Sequence, residues 1–467
     1  MTVLADDAMQ GRETGTPGFD RAAEYVADQF RGLRLQGING GNLQQITIRR
    51  TRVDERGSAL TVTALGQRRT LAYANDFVTY GMRGAASVSA EGPLMFVGDG
   101  VSVPQHGVDA YRGLDVAGKI VVALPGGPPS FSPSERSFYA DATHKVANAA
   151  AHGAAALLLV DAPQIPWDLR VRAARQLGVS EAMPTRDRES VIPLVYLQRE
   201  TAEGILGSLD RPTLQAGLLV GSVQLMLRQV SHEVSSANVV ARLPGSDPRR
   251  VGEHIVLMAH LDHVGVGEPI SGDAVYNGAV DNASGVAALL TMAKAFLSLP
   301  RRPARSLVFL ATTGEEQGLI GAEYFVRRSD LVPGEIVAAL NVDGTSVTPF
   351  EHLDVRGGSN SSLGATSQAA GRQLSVAIRL EPLGVGGSDH SPFLLAGIPV
   401  LWVGASLPSE WMRTHYHTPQ DDMRQALDLE AAARYTRFMF LTTYLAADAS
   451  ARPTWNAGEF FGKKRAR

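Results

Sequence analysis

Two imidazoles and a set of carboxylates recur at the ends of apolar runs in the second half of this chain. Ile-Val-Leu-Met-Ala leads into His260-Leu-Asp262, Val-Phe-Leu-Ala-Thr-Thr-Gly into Glu315-Glu316, and Ala-Ala-Leu-Asn-Val into Asp343. Asp281 lies in Val-Asp-Asn-Ala-Ser-Gly at an expected helix start, and His417 in His-Tyr-His-Thr-Pro. Imidazole and carboxylate together suit Zn²⁺ or a similar borderline metal, and an all-N/O site that keeps a position open is catalytic in type. Two ions about 3.5–4 Å apart need one bridging carboxylate, plus an imidazole and a further carboxylate each. His260, Asp281, Glu316, Asp343 and His417 meet that requirement.

Local geometry assigns further roles. Asp262 follows His260 by two residues, on the same side of an extended strand, and is the natural acceptor for the imidazole N–H that faces away from a metal. Adjacent glutamates at a strand end point in different directions, so Glu316 can bind metal while Glu315 holds the water; Gly314 permits the tight turn this requires. His415 rivals His417 as ligand. Tyr416 faces the opposite way in an extended segment, but polarises a substrate carbonyl if the loop bends, and His390 is a second candidate substrate contact. His263 also lies near the site. His106, His144, His152, His232, His254 and His352 read as ordinary surface or core residues, and Asp421-Asp422 as a helix-start device.

The elements that must position these groups follow from periodicity. From Ser235 onward apolar strands alternate with helical segments, which implies an α/β fold: a largely parallel sheet sandwiched by helices, with ligand sites at the carboxyl ends of the strands. Ala22, Ala23, Val26, Ala27, Phe30 and Leu33 mark an amphipathic helix near the N-terminus. The middle of the chain differs, with short apolar runs between Gly- and Pro-rich turns. It is expected to be a mostly β insert, with loops at Pro125–Glu135 and Thr185–Ser190, a helix end feeding a strand over Ala149–Val160, and another strand at Ile192–Leu197. The expected boundaries are 1–86, an insert at 87–230, 231–450, and a tail at 451–467.

Composition narrows the classes. The chain has 44 Lys and Arg against 47 Asp and Glu, a net charge of −3, without the basic excess that a phosphate-reading surface needs, so nucleic acid is not an expected partner. Without cysteine, neither disulfides nor thiolate ligands are available. The most apolar stretch, Ala149–Val160, is too short to span a bilayer. The N-terminal residues contain no secretory signal pattern, which fits either a cytoplasmic protein or a trimmed form.

The succession His260-x-Asp262, Asp281-Asn-Ala-Ser-Gly, Gly-Glu315-Glu316, Asn-Val-Asp343 and Tyr416-His417-Thr closely resembles the di-zinc aminopeptidase family, which includes secreted bacterial leucyl aminopeptidases and relatives of glutamate carboxypeptidase II. The opening Leu-Ala-Asp-Asp-Ala-Met-Gln-Gly-Arg-Glu-Thr-Gly-Thr-Pro-Gly resembles the family's opening, and Gly92 to about Gln229 resembles its protease-associated (PA) insert. The resemblance implies a zinc-exopeptidase fold, two Zn²⁺ per chain, peptide substrates, and a secreted or periplasmic location. In it, His260 and Asp343 hold one ion, Glu316 and His417 the other, Asp281 bridges, and Glu315 is the base. Gly344 departs from the family, where an apolar side chain is common. Carboxypeptidase or glutaminyl-cyclase-like chemistry, and a non-catalytic receptor-like ectodomain, are the alternative readings.

Overall fold

The computed structural model describes all of the 467-residue chain except residues 39, 65, 83–84, 184–191, 210–214, 329–333, 346–347, 405–406 and 464–467. The expected loop at Thr185–Ser190 lies outside the described residues. The chain divides into two compact units, Met1–Ile48 with Ser235–Arg467, and Arg49–Val234.

In the first unit, Glu253–His260 lies between Ser306–Thr312 and Glu335–Val342, parallel to both. Val400–Gly404 adds to Glu335–Val342 in parallel, followed by His352–Arg356 antiparallel to it and Ala377–Glu381 parallel to that strand. Residues 239–243 close the other side, antiparallel to Ser306–Thr312. The central strands are buried along almost their whole length. Strands covered on both faces must be continuously apolar, which is why the sequence shows unbroken runs instead of alternation.

Helices Pro17–Gly32, Ser284–Leu297 and Leu429–Asp448 contribute Phe19, Phe30, Leu289, Phe296, Tyr435 and Phe438 to one core with Leu257, Phe309 and Leu340. The Thr16 side chain accepts from the N–H of Phe19 and caps the first helix, while Pro17 occupies a position whose N–H has no helical partner. The C-terminal segment docks: Trp455 Nε1 donates to the carbonyl of Gly397 at 2.7 Å, and Phe461 is buried.

The second unit begins earlier than composition suggests. Leu60 pairs with Leu71 in a hairpin, and both, with Val62 and Phe77, share a core with Phe96, Ile120 and Leu158. The half-buried alternation of residues 43–64 belongs to one long strand and offers no composition shift to mark the boundary. Strands at 120–123, 156–160 and 194–197 run parallel. They are accompanied by helices Pro133–Ala140, Ala142–Ala151, Trp167–Gln176 and Arg199–Leu206, so this unit is more helical than its turn-rich sequence implies.

Candidate metal centre

Three parallel strands deliver side chains to one rim of the first unit's sheet. His260 ends its strand, Asp343 follows Val342, and Glu315-Glu316 follow Thr312 after a turn at Gly314 with φ 66°. Asp281 comes from the turn Ala279–Ala283, which precedes the helix Ser284–Leu297. His417 follows the short helix Ser409–Thr414 and has a left-handed backbone, φ 52°.

The two oxygens of Asp281 face different partners. Oδ1 lies 3.1 Å from His260 Nε2, which is also 3.2 Å from Asp343 Oδ1. Oδ2 lies 3.1 Å from His417 Nε2, which is 3.2 Å from Glu316 Oε1. Ligand-capable atoms of His260, Asp281 and Asp343 lie within 4.8 Å of one another, as do those of His263, Asp281, Glu316 and His417. Hard oxygens and imidazole nitrogens without sulfur match the preferences of zinc, so the donor set fits that metal.

His415 stands outside both groups; its Nδ1 is 2.7 Å from the Thr414 hydroxyl, and its ring stacks on Trp411. His263 is the residue whose place the sequence left open. Its Nδ1 is 2.8 Å from Glu316 Oε1, while Nε2 is buried without a partner among the described residues.

Electrostatics follow from the crowding. Burial works against the imidazolium of His417, but the charge of Glu316 and the contact with Asp281 outweigh it and push His417 up to about 10. His260 is likewise held well above its ordinary range, burial being overcome by Asp343 and Glu315. Burial, reinforced by Glu316, Asp343 and Asp389, raises Glu315 well above the usual carboxylate range against the pull of His260.

The outer contacts differ in part from the sequence reading. His260 Nδ1 is 3.1 Å from the backbone carbonyl of Asp262, not from its side chain. The Asp262 carboxylate instead accepts the N–H groups of Glu315, at 3.1 Å, and Glu316, at 3.3 Å, and so fixes the turn that aims the two glutamates. Asp421 starts no helix. Buried, it accepts the N–H groups of Val280, at 2.9 Å, and Asp281, at 3.0 Å. Asn282 donates to the carbonyl of Val342 and accepts from Gly285 and Gly344, joining the Asp281 turn to the strand end that carries Asp343.

Arg12, fully buried, was not singled out by the sequence. Its guanidinium donates to the carbonyls of Leu4, Leu261, Asn277 and Gly278, at 2.6, 2.8, 2.6 and 3.0 Å, and so braces both segments that flank the ligands. Burial lowers it to about 10, opposed by the charges of Asp421, Asp281, Asp262 and Glu316. Arg12→Met strands those carbonyls and unbalances the carboxylates, and is expected to cost about 3 kcal/mol or more. Denaturant unfolding reads this directly, and an unchanged midpoint with unchanged slope would refute the bracing role.

A cavity opens over the cluster, lined by His260, Asp281, Glu315, Asp343, Tyr416 and His417 together with Gly344, Arg356, Trp402 and Trp411. Tyr416 stacks on His417 with ring centres 3.9 Å apart, so the loop bends and brings its ring to the cavity wall. Its hydroxyl is raised well above the ordinary tyrosine range, by burial first and then by Asp281 and Glu316, and stays protonated at neutral pH. His390 takes no part in the lining. It is buried, with Nε2 3.1 Å from the Gly384 carbonyl and its ring stacked on Trp402. At Gly344, φ 68°, an added Cβ would meet nothing within 4 Å, so the missing side chain widens the cavity.

Comparison with known proteins gives two family matches, Peptidase family M28 over residues 238–443 and the PA domain over residues 89–205. Over 124 residues, 26% of this chain and 24% of the other, the sequence is 38% identical to a probable zinc metalloprotease of Pyricularia oryzae. It is 25% identical to aminopeptidase YwaD of Bacillus subtilis over 64% of each chain. The matched stretches thus span less than two thirds of either relative. An aminopeptidase from Aneurinibacillus sp. strain AM-1 shares the fold, with a TM-score of 0.60 and 18% identity over 96% of this chain and 94% of the other.

Proposed function

We propose that this chain, whose residues 238–443 match peptidase family M28 and whose residues 89–205 match the PA domain, is a zinc-dependent aminopeptidase that removes N-terminal residues from peptides, with two ions per chain. The observation that carries this reading is the division of Asp281, one oxygen turned to His260 and Asp343 and the other to His417 and Glu316. A carboxylate shared in this way serves two ions and is redundant for one. His260 and Asp343 would hold the first, Glu316 and His417 the second, and His263 stands beside Glu316, placed to orient it.

Zinc in these positions supplies Lewis-acid chemistry, lowering the pKa of water toward neutrality and polarising a carbonyl. The chain's own groups do the rest. Glu315 takes a proton from the attacking water and delivers it to the leaving amine. Tyr416, protonated at the cavity wall, donates to the carbonyl oxygen as negative charge develops there. The carboxylates of the rim receive the positively charged α-amine.

No helix among the described residues is long and apolar enough to cross a membrane. Resemblance to a family with secreted members supports export.

Metal analysis by mass spectrometry, beside release of p-nitroaniline from aminoacyl-p-nitroanilides with and without chelator, tests the proposal. Two zinc equivalents and chelator-sensitive release are expected. Bound metal without release would move the reading to carboxypeptidase or cyclase chemistry, and absence of metal would end it.

A further inference from the structure

The cavity over the acidic cluster includes one guanidinium in its lining. Among the described residues that line the cavity, Arg356 is the one Lys or Arg, and Asp281, Glu315, Glu316 and Asp343 share that lining. It is the last residue of the strand His352–Arg356, and its side chain is 28% exposed.

Among the described residues, what surrounds the guanidinium leaves its donors available. Its nearest carboxylate oxygens are Asp354 Oδ2 at 3.8 Å and Glu381 Oε2 at 4.0 Å, both beyond hydrogen-bond reach. Those two acids are already engaged by Arg379, whose Nε and Nη2 lie 3.0 and 2.9 Å from Asp354 Oδ1 and whose Nε is 2.9 Å from Glu381 Oε1. The four charges balance, so Arg356 is neutralised at a distance, with no hydrogen bond to these two acids.

Its position is nonetheless fixed. The guanidinium carbon sits 4.7 Å from the centre of the Trp402 ring, over its face. Trp402 is held in turn by His390, stacked at 5.1 Å and 19°, and by Nε1 donating to the Asp343 carbonyl at 3.4 Å. A guanidinium laid on an indole has its face occupied and its in-plane N–H fork free, the arrangement that binds a carboxylate through two parallel bonds. Val280, Leu407, Trp411 and Met412 supply apolar lining to the same cavity.

We propose that Arg356 is a specificity-determining residue that selects substrates bearing a carboxylate, either an acidic side chain on the N-terminal residue or the terminal carboxylate of a short peptide. The assignment rests on the peptidase reading of the same cavity. Hydrogen bonds to a charged partner support a preference of about 10–100-fold over the neutral isostere.

The test is kcat/KM of the zinc-loaded full chain on matched pairs: glutamyl against glutaminyl p-nitroanilide, and a leucyl dipeptide against its C-terminal amide. One pair is expected to favour its carboxylate member by about 10–100-fold. The first pair identifies a side-chain carboxylate and the second a terminal one. In Arg356→Gln that ratio should fall close to one, chiefly through KM, and in Arg356→Lys part of it should survive. Calorimetric titration of the wild-type chain with free glutamate and glutamine gives a readout independent of turnover, with glutamate binding more tightly if the side-chain pair is the selective one. Equal kcat/KM within both pairs for the wild type overturns the proposal without recourse to a variant, as does a ratio that persists in Arg356→Gln. Release of leucine from its p-nitroanilide would then show that the peptidase reading stands and only the selectivity is wrong; if no substrate is cleaved, both fall together.

Discussion

Glu315→Gln is expected to lower kcat by about 10²–10⁴-fold, the contribution of a positioned general base, while leaving zinc content and KM nearly unchanged. The substitution keeps the side chain's size and hydrogen-bonding outline and removes only its capacity to take a proton. Glu315 belongs to the cavity wall, and its backbone is fixed by the N–H to Asp262, so the amide should occupy the same place. The proposed ligands His260, Asp281, Glu316, Asp343 and His417 are untouched, which makes metal content the internal control. Single-turnover kinetics and metal analysis on one preparation decide the matter. Full activity would remove Glu315 from the mechanism, and a fall in zinc equal to the fall in rate would make it a ligand.

The second large effect is expected at Asp281. Asp281→Ala takes one oxygen from each half of the cluster at once, so both zinc affinities should fall together. Residues that merely orient ligands are worth about 10–100-fold in affinity, and loss of a shared ligand should exceed that. His417→Ala should instead weaken chiefly the half that includes Glu316, leaving the half of His260 and Asp343 occupied. Zinc stoichiometry measured against a competing chelator separates the two patterns: zero or weakly held metal for Asp281→Ala, one tightly held ion for His417→Ala. If Asp281→Ala retains two ions at wild-type affinity, the shared carboxylate is excluded.

The groups that cluster were legible because each stands where an apolar run stops. A fully buried strand must be continuously apolar, so a charged residue at its end is conspicuous, and three such strands running parallel share one rim. His260, Glu315, Glu316 and Asp343 were found in that way, and the structure brings them together with Asp281 and His417. Arg12 was not, because its partners are four carbonyls, and a carbonyl has no signature in sequence. Asp421 was misread for a related reason: an acid before a helix-forming stretch looks like a cap, whereas it accepts N–H groups far away in the chain. The Asp262 side chain went to the turn of the glutamates, since a carboxylate gains two backbone donors there and the carbonyl of the same residue already serves His260. The second unit's extent was hidden because a strand that runs through a boundary shows no break in pattern.

The bracing by Arg12 and Asp421 has a consequence for biosynthesis. The bonds from Arg12 to the Leu261 carbonyl and from Val280 to Asp421 join residues 249 and 141 positions apart. Contacts of such separation form late, because the entropy of closing long loops must be met first. The Asp281 turn therefore lacks its acceptor until translation has passed residue 421, and a nascent chain that already displays His260, Asp281 and both glutamates is still without a working centre. On the peptidase reading proposed above, a chain assembled in this order has no complete site while it is being made.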